Sequence, residues 1–386
     1  MPVNLGKPGE RMDYLTRYLI EEEIEEFQMN HISRREMVKR VLIITGSVPA
    51  TASILLAAGC GASPTATPAA SAAPSAAAST SAAPGECGGE CGTECGTSAA
   101  ASAAAAAATP AASAAASAAA SPTRAASPST AAPSAGSPVA GSPVATRNPV
   151  TVPATDPAIE AAAVTYPGQA GQLMGYLAAP RATTKVPGII VIHENRGLNE
   201  HIRDVARRYA KSGFVALAID LLSRQGGTDK VDQAQVPNLL STADRAATIA
   251  DMVSSVAFLK THAKFAGPKA GVVGYCFGGG MCWLLAVSSP DIGASNPYYG
   301  PPPDPIDLIK NLAGPVLAFY GATDTRINAN IDPIEAAIKQ YGKTFTKEIY
   351  AGAGHAFNND TGTAYNEAAA KDAYTKSVAF FQTNLK

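Results

Sequence analysis

Cys276 lies in the segment Gly274-Tyr275-Cys276-Phe277-Gly278-Gly279-Gly280. Glycines on both sides of one nucleophilic side chain let the backbone turn sharply from a strand into a helix. The thiol is then raised above the sheet, at the N–H groups of the helix start. The helix dipole favours a thiolate there. Taken alone, a cysteine in a glycine-rich turn is equally well a buried structural residue. Cys282, six residues on among apolar neighbours, reads as such a core residue. Two further positions supply partners for Cys276. Asp324, in Gly321-Ala322-Thr323-Asp324, can orient a histidine or cap a helix. His355, in Gly352-Ala353-Gly354-His355-Ala356-Phe357, sits in a loop open enough to reach a nucleophile. A free thiol has a pKa near ~8.5, so a neighbouring imidazole must take its proton, while a carboxylate fixes the imidazole tautomer. The chemistry open to such a set is thiolate attack on an acyl carbonyl. Each backbone N–H that meets the resulting oxyanion is typically worth about 2.7–4 kcal/mol.

The elements that would carry these residues alternate. Residues 187–192 form a short continuous apolar run, as does 214–219, and 270–275 forms a third. Such runs are expected of strands buried on both faces. Ile202, Val205, Ala206, Tyr209 and Ala210 make one apolar helical face that Gly213 ends. A helix is expected over 243–264 and another through Cys282, Trp283 and Leu285. Strands are expected at 315–320 and 346–350, with helices near 332–341 and 364–384. This alternation predicts an α/β fold, a mostly parallel sheet with helices on both faces. Ligands of such sheets bind at the carboxyl ends of the strands, and Cys276, Asp324 and His355 each directly follow one. Nucleophile, acid and histidine also follow one another in the chain order of α/β-hydrolases. Of the other histidines, His31 lies in an N-terminal leader-like segment, and His201 and His262 lie in predicted helices.

Residues 163–385 resemble the dienelactone hydrolase family. The resemblance is carried by His193-Glu194-Asn195-Arg196-Gly197-Leu198, Asp220-Leu221-Leu222-Ser223-Arg224-Gln225-Gly226, the Cys276 segment, Gly321-Ala322-Thr323-Asp324 and Gly354-His355-Ala356-Phe357. It implies a Cys276–His355–Asp324 triad that opens small esters or enol-lactones through a thioester, without cofactor or metal. It further implies that Glu194 holds the resting thiol and that the N–H groups of Asn195 and Phe277 form the oxyanion hole. Arg224 would bind a substrate carboxylate. By position alone, Glu194 is also a loop or cap carboxylate and Arg224 a solvated loop charge. The family's second carboxylate-binding arginine falls at Asn359, a departure that bears on the substrate and leaves the triad intact. Tyr298 and Tyr299 follow an apolar run, where they either line the pocket or pack.

Composition frames this domain. The chain has 386 residues and a net charge of −1. No aromatic residue occurs between Phe27 and Tyr166, and residues 61–148 hold only Glu86, Glu90, Glu94, Arg124 and Arg147 as charged side chains. A stretch of Ala, Ser, Pro, Gly and Thr cannot bury enough apolar area to offset its ordering entropy, so 61–154 reads as a disordered linker. Residues 155–386 then form one catalytic domain. It carries 21 Lys+Arg against 20 Asp+Glu, with no basic stripe, which argues against nucleic acid as partner. Cys87, Cys91 and Cys95 repeat every four residues in the linker. Their spacing is not that of zinc ribbons, and intermolecular disulfides or no role fit better.

Residues 1–60 read as an address. Ser33-Arg34-Arg35-Glu36-Met37-Val38-Lys39-Arg40 precedes an apolar run over 41–58, the order of an export signal, and the arginine pair resembles a twin-arginine motif. Leu56-Ala57-Ala58-Gly59-Cys60 resembles a lipobox, which implies lipidation at Cys60 and membrane attachment through the N-terminus. An uncleaved anchor is the alternative. The expected location is the cell envelope or outside it. The acidic run Glu21-Glu22-Glu23-Ile24-Glu25-Glu26 before the signal reads as a cytoplasmic extension, a single helix, without an assigned role. Two other functions stay open: a silent binding module on the same fold, and a thioesterase or peptidase. Sequence alone leaves substrate and oligomeric state open.

Overall fold

The protein is described by a computed structural model covering residues 14–28, 32–58 and 151–386. Cys60, the linker over 61–150 and its cysteines at 87, 91 and 95 lie outside the described residues. The ordered domain starts slightly before residue 155. The Asp204 carboxylate accepts from the backbone N–H groups of Thr151 and Val152 at 2.9 and 2.7 Å, and Val152 is buried.

An eight-stranded sheet runs in the order β1-β2-β4-β3-β5-β6-β7-β8. Its strands are β1 (Ile159–Gly168), β2 (Gly171–Pro180), β3 (Val186–Ile192), β4 (Val215–Ile219), β5 (Phe265–Tyr275), β6 (Ile292–Tyr298), β7 (Val316–Gly321) and β8 (Phe345–Tyr350). The first two pair antiparallel with each other, and β2 pairs antiparallel with β4; every pairing from β4 to β8 is parallel. Ile189–Ile192 and the whole of β4 are essentially inaccessible, as continuous apolar strands between two layers must be.

The helices of the domain are α4 (Glu200–Lys211), α5 (Val236–Ser241), α6 (Arg245–Lys260), α7 (Phe277–Ser288), α8 (Thr325–Asn328), α9 (Ile331–Gln340) and α10 (Glu367–Asn384), after α1–α3 of the N-terminal segment. The sheet is wound outward in both directions from β3. Right-handed crossovers therefore put α4 on one face and α6 and α7 on the other. The last helix, α10, joins α4 through Tyr374 and Phe381 against Tyr209, at 5.2 and 6.2 Å between ring centres. This is the α/β-hydrolase fold expected from the sequence. Strands β1, β2 and β6 were not among the expected elements. The first two are rich in Ala and Gly, and β6 contains Asn296 and Pro297, so none shows a β-branched run.

The N-terminal segment folds as α1 (Tyr14–Gln28), α2 (Arg34–Thr45) and α3 (Val48–Ala57), in one compact unit with the sheet domain. Ser33 caps α2 by accepting from the Glu36 N–H, and Gly46 ends it in the left-handed conformation. Ser47 then caps α3, with Pro49 in its first turn. The apolar run is thus broken into two short helices, and among the described residues no helix is long and apolar enough to cross a membrane. The acidic run lies in one helix, as expected, but that helix packs on the sheet domain. Tyr18, Leu19, Ile20 and Ile24 of α1 are buried, and so are Glu22 and Glu23. Arg40 of α2 and Arg196 of the sheet domain both pair with Glu23, at 3.0 and 3.2 Å.

The turn between β5 and α7 depends on close backbone approach. A Cβ on Gly274 would lie 1.9 Å from the carbonyl oxygen of Gly278. Because that obstacle is backbone, Gly274→Ala is expected to cost at least about 1–3 kcal/mol of stability. Denaturant unfolding of the two proteins checks this; an unchanged midpoint would contradict it.

Candidate active site

The turn after β5 holds Cys276 at φ 56° and ψ −120°, an unfavourable conformation for a side chain with a Cβ. Its N–H donates to Tyr298 O at 3.1 Å, which ties the turn to β6. Phe277 is the first residue of α7, so its N–H is one of the orphan donors of a helix start. Asp324 follows β7 and caps α8. Its Oδ1 accepts from the Ile327 N–H at 3.1 Å, and its Oδ2 meets His355 Nδ1 at 2.7 Å. The loop carrying His355 follows β8 and is pinned by Thr323 N–H to Ala353 O and Asn366 N–H to Phe357 O, at 3.0 and 2.9 Å. Glu194 and Asn195 follow β3. There His193 fixes the turn: its Nε2 accepts from the Leu221 N–H at 3.2 Å, so its Nδ1–H donates to Glu194 O at 2.6 Å.

Cys276, Asp324 and His355 are brought together and buried, to 3, 1 and 2% exposure. A fourth residue joins them from the far end of the chain. The Glu22 carboxylate of α1 lies 3.1 Å from His355 Nε2 and 3.5 Å from Cys276 Sγ. Cys276, His355 and Glu22 offer one side-chain atom each within 4.8 Å of one another. The Tyr18 hydroxyl is 3.4 Å from the same sulfur. Arg326, two residues after Asp324, pairs with Glu22 through Nη2 and with Glu25 through Nε at 2.9 Å. Its guanidinium lies 4.7 Å from the Tyr18 ring centre.

These charges set the protonation of the site. Burial pushes the Cys276 thiol up, and the Glu22 carboxylate adds to this, to about 11; His355 only partly offsets them. Burial would lower the His355 pKa, but the carboxylates of Glu22 and Asp324 hold it well above its usual value. Burial would likewise raise Glu22, but His355 and Arg326 hold its carboxyl well below the usual range. The resting site therefore pairs a neutral thiol with an imidazolium clamped between two carboxylates. Cys282 is buried in the core, its Sγ 3.5 Å from Val272 O.

The other expected residues are placed differently. Glu194 is not the carboxylate at the thiol. Its Oε2 accepts from Asn359 Nδ2 at 2.6 Å and its Oε1 from the Tyr299 hydroxyl at 3.5 Å. Burial pushes its pKa up, although His201 and Asn359 oppose this. Arg224 is partly exposed and held by Asp251 at 2.6 and 2.9 Å; it does not line the cavity at Cys276. That cavity, of about 160 Å³, is bordered by Glu22, Glu194, Asn195, Arg196, Cys276 and Asn359 among others. Of the tyrosine pair, Tyr299 packs edge-on against His355 at 5.0 Å, whereas Tyr298 bonds Ser377 in the core. Sequence reasoning missed Glu22, Tyr18 and Arg326. The only local sign was the apolar spacing of Tyr18, Leu19 and Ile24 within the acidic run. Glu22, Cys276 and His355 are also candidate metal ligands by type and spacing, but the Arg326 guanidinium already supplies the positive charge at Glu22.

Residues 173–385, more than half of the chain, match the model of the family described as the dienelactone hydrolase family. The chain belongs to the dienelactone hydrolase family. It is 35% identical over 231 residues to a protein of Methylorubrum extorquens provisionally named a carboxymethylenebutenolidase, covering 57% of this chain and 79% of that one. It is 31% identical over 223 residues to a Bradyrhizobium protein provisionally named a 2-oxo-3-(5-oxofuran-2-ylidene)propanoate lactonase, covering 55% and 90%. A crystal structure from Klebsiella pneumoniae, of a protein provisionally named a dienelactone hydrolase, superimposes with a TM-score of 0.55 at 31% identity, over 58% of this chain and 99% of that one. As a dienelactone hydrolase family member, the protein is a hydrolase of lactones or esters.

The charge pairing has a pH signature. The raised His355 pKa gives stability that is fully present below the ordinary imidazole value of about 6.5 and is lost as pH rises through the raised value. The depressed Glu22 pKa gives stability that is fully present above about 4.3 and is lost as pH falls through the depressed value. Glu22→Gln is therefore expected to lose most stability between the two, with the deficit shrinking at both extremes. Denaturant melts across the pH range check this; a deficit independent of pH would contradict it.

Proposed function

We propose that this dienelactone hydrolase family member cleaves small carboxylic esters or lactones through a thioester on Cys276, with His355 as base and Asp324 as its orienting carboxylate. The single observation that carries this reading is the joint placement of three residues. A thiol sits on a strained turn at a helix start, and a buried imidazole within reach is bonded at 2.7 Å to a helix-capping carboxylate.

Each step follows from that placement. With Glu22 displaced and its imidazole neutral, His355 takes the thiol proton at Nε2, and the thiolate sulfur adds to the carbonyl carbon. The electron pair of the C=O bond moves to oxygen, which accepts from the N–H groups of Phe277 and Asn195. The C–O bond to the leaving group breaks, and the alkoxide takes the proton from His355. Water, deprotonated by the same imidazole, then adds to the thioester carbon; the C–S bond breaks, the carboxylic acid leaves, and the sulfur takes the proton back from His355. Asp324 stabilises the imidazolium at each stage. Glu194, bonded to Asn359 and Tyr299, shapes the cavity wall; it makes no hydrogen bond to the thiol, and its charge helps to keep the thiol protonated. Arg224 enters no step.

We propose further that the protein is exported. Support comes from the Ser33-Arg34-Arg35 sequence, whose two arginines stand exposed in the first turn of α2, and from the apolar run behind them. Lipid attachment at Cys60 remains part of that proposal.

Hydrolysis of an activated aryl ester and of an enol-lactone by the full chain, opened by Glu22→Ala, is expected to fall by at least about 10³-fold when Cys276→Ala is added, the scale of losing a nucleophile. Equal turnover by the folded variant would overturn the thioester reading. Replacement of both Arg34 and Arg35 by lysine is expected to retain the protein in the cytoplasm on fractionation. Undiminished export would remove the twin-arginine reading.

A further inference from the structure

We propose that Arg326 is an anion-binding subsite beside Cys276, and that Glu22 of α1 is its built-in occupant, so that α1 closes the site until a carboxylate-bearing substrate or processing displaces it. The proposal rests on the hydrolase reading for its substrate, and on geometry alone for its site.

The Glu22 carboxylate stands where a substrate would. One oxygen, Oε1, is 3.5 Å from Cys276 Sγ and 3.1 Å from His355 Nε2; the other, Oε2, pairs with Arg326 Nη2. It thus occupies both the nitrogen that must take the thiol proton and the sulfur that must meet the acyl carbon. Its contact with His355 is ionic, since Nε2 makes no hydrogen bond of good geometry, and Nη1 of Arg326 is also buried without one. Buried nitrogens left unsatisfied on both sides of one carboxylate mark a site that a differently shaped anion would fill more completely; Glu22 and Cys276 themselves border the cavity of about 160 Å³. Arg326 is connected to the site by sequence as well as space. It lies in the first turn of α8, two residues from Asp324, on the rigid end of β7. Withdrawal of α1 would leave this guanidinium unpaired against the imidazole and thiol, because Glu22, Glu25 and Tyr18 all belong to α1. A free, preorganised guanidinium recognises a carboxylate by charge-assisted hydrogen bonds. The family's arginine position after the histidine is Asn359 here, and its other, Arg224, is engaged by Asp251. Arg326 is therefore the arginine that pairs with the carboxylate standing at the nucleophile. Residues 14–28 precede Cys60, so cleavage at Cys60 would also separate the occupant from the domain.

The test uses the full chain and reads alkylation of Cys276, by mass spectrometry of its peptide, with iodoacetamide and iodoacetate. These reagents differ only in that one carries a carboxylate, so the ratio of their rates cancels any change in the thiolate fraction. Wild type is expected to react slowly with both. Glu22→Ala is expected to react faster with both, with the ratio shifted towards iodoacetate by roughly tenfold, the scale of one charge-assisted pair. Adding Arg326→Gln should return the ratio to that of a free thiol. Because Arg326→Gln removes the centre of an ion-pair cluster, Glu22→Ala alone is tested a second way: millimolar glutarate should slow its reaction with iodoacetamide. Unchanged alkylation in Glu22→Ala overturns the closure. A ratio indifferent to Arg326, or no protection by glutarate, overturns the subsite. Ester turnover is followed on the same samples. The expected alkylation pattern without turnover would sink the hydrolase reading and leave the subsite standing; turnover with a flat ratio would do the reverse.

Discussion

The site depends on one backbone constraint, the close packing of the end of β5 against the first turn of α7. No side chain fits at Gly274 because the carbonyl of Gly278 occupies that space, and a Cβ at Gly278 would lie 2.4 Å from the carbonyl oxygen of His193. The two glycines let strand and helix meet at a distance that other residues would forbid. The turn between them then has one solution, with Cys276 at positive φ and its thiol raised at the helix start. That strain is held by the core beneath it, where β3, β4 and β5 are buried on both faces. The same approach brings the residues after β3, including Asn195, beside the residues after β5. Asn195 and Cys276 thereby line the same cavity.

Around this fixed point the charges balance locally. His355 and Arg326 are the cations, and Asp324, Glu22 and Glu25 the anions facing them. Buried charges are tolerated when paired and become costly when one partner leaves. The resting arrangement is therefore balanced in charge, with the imidazole protonated and the thiol neutral, although His355 Nε2 and Arg326 Nη1 lack hydrogen bonds. Removing Glu22 frees His355 Nε2 and lowers the barrier to forming the thiolate, at the cost of leaving Arg326 unpaired. A substrate carboxylate would restore that pairing. Resting stability and catalytic competence thus draw on the same guanidinium.

Much of this was legible in the sequence. Strands β3, β4 and β7 and the second half of β5, residues 270–275, are short continuous apolar runs, and each candidate residue at 276, 324 and 355 stands just after a strand beside glycines. Local pattern and site coincide there because the fold places its chemistry at strand ends. The antiparallel edge and β6 were not legible, since their Ala, Gly, Asn and Pro carry no strand signal and are ordered by pairing with neighbours. Glu22 was hidden for a different reason. The acidic run offered no assigned role, and the burial of Glu22 comes from a contact spanning 254 residues that no local pattern encodes. The family resemblance placed a carboxylate at the thiol, and one is there, but it comes from α1 and not from Glu194.

The most direct measurement is the mass of the peptide containing Cys276 after the full chain, with Glu22→Ala to open the site, is quenched in acid during turnover of a slow ester. A mass increase equal to the acyl group on Cys276, appearing and decaying at the rate of turnover, is the result this account requires. Sustained turnover with Cys276 unmodified at every time point, and still open to alkylation afterwards, would contradict it.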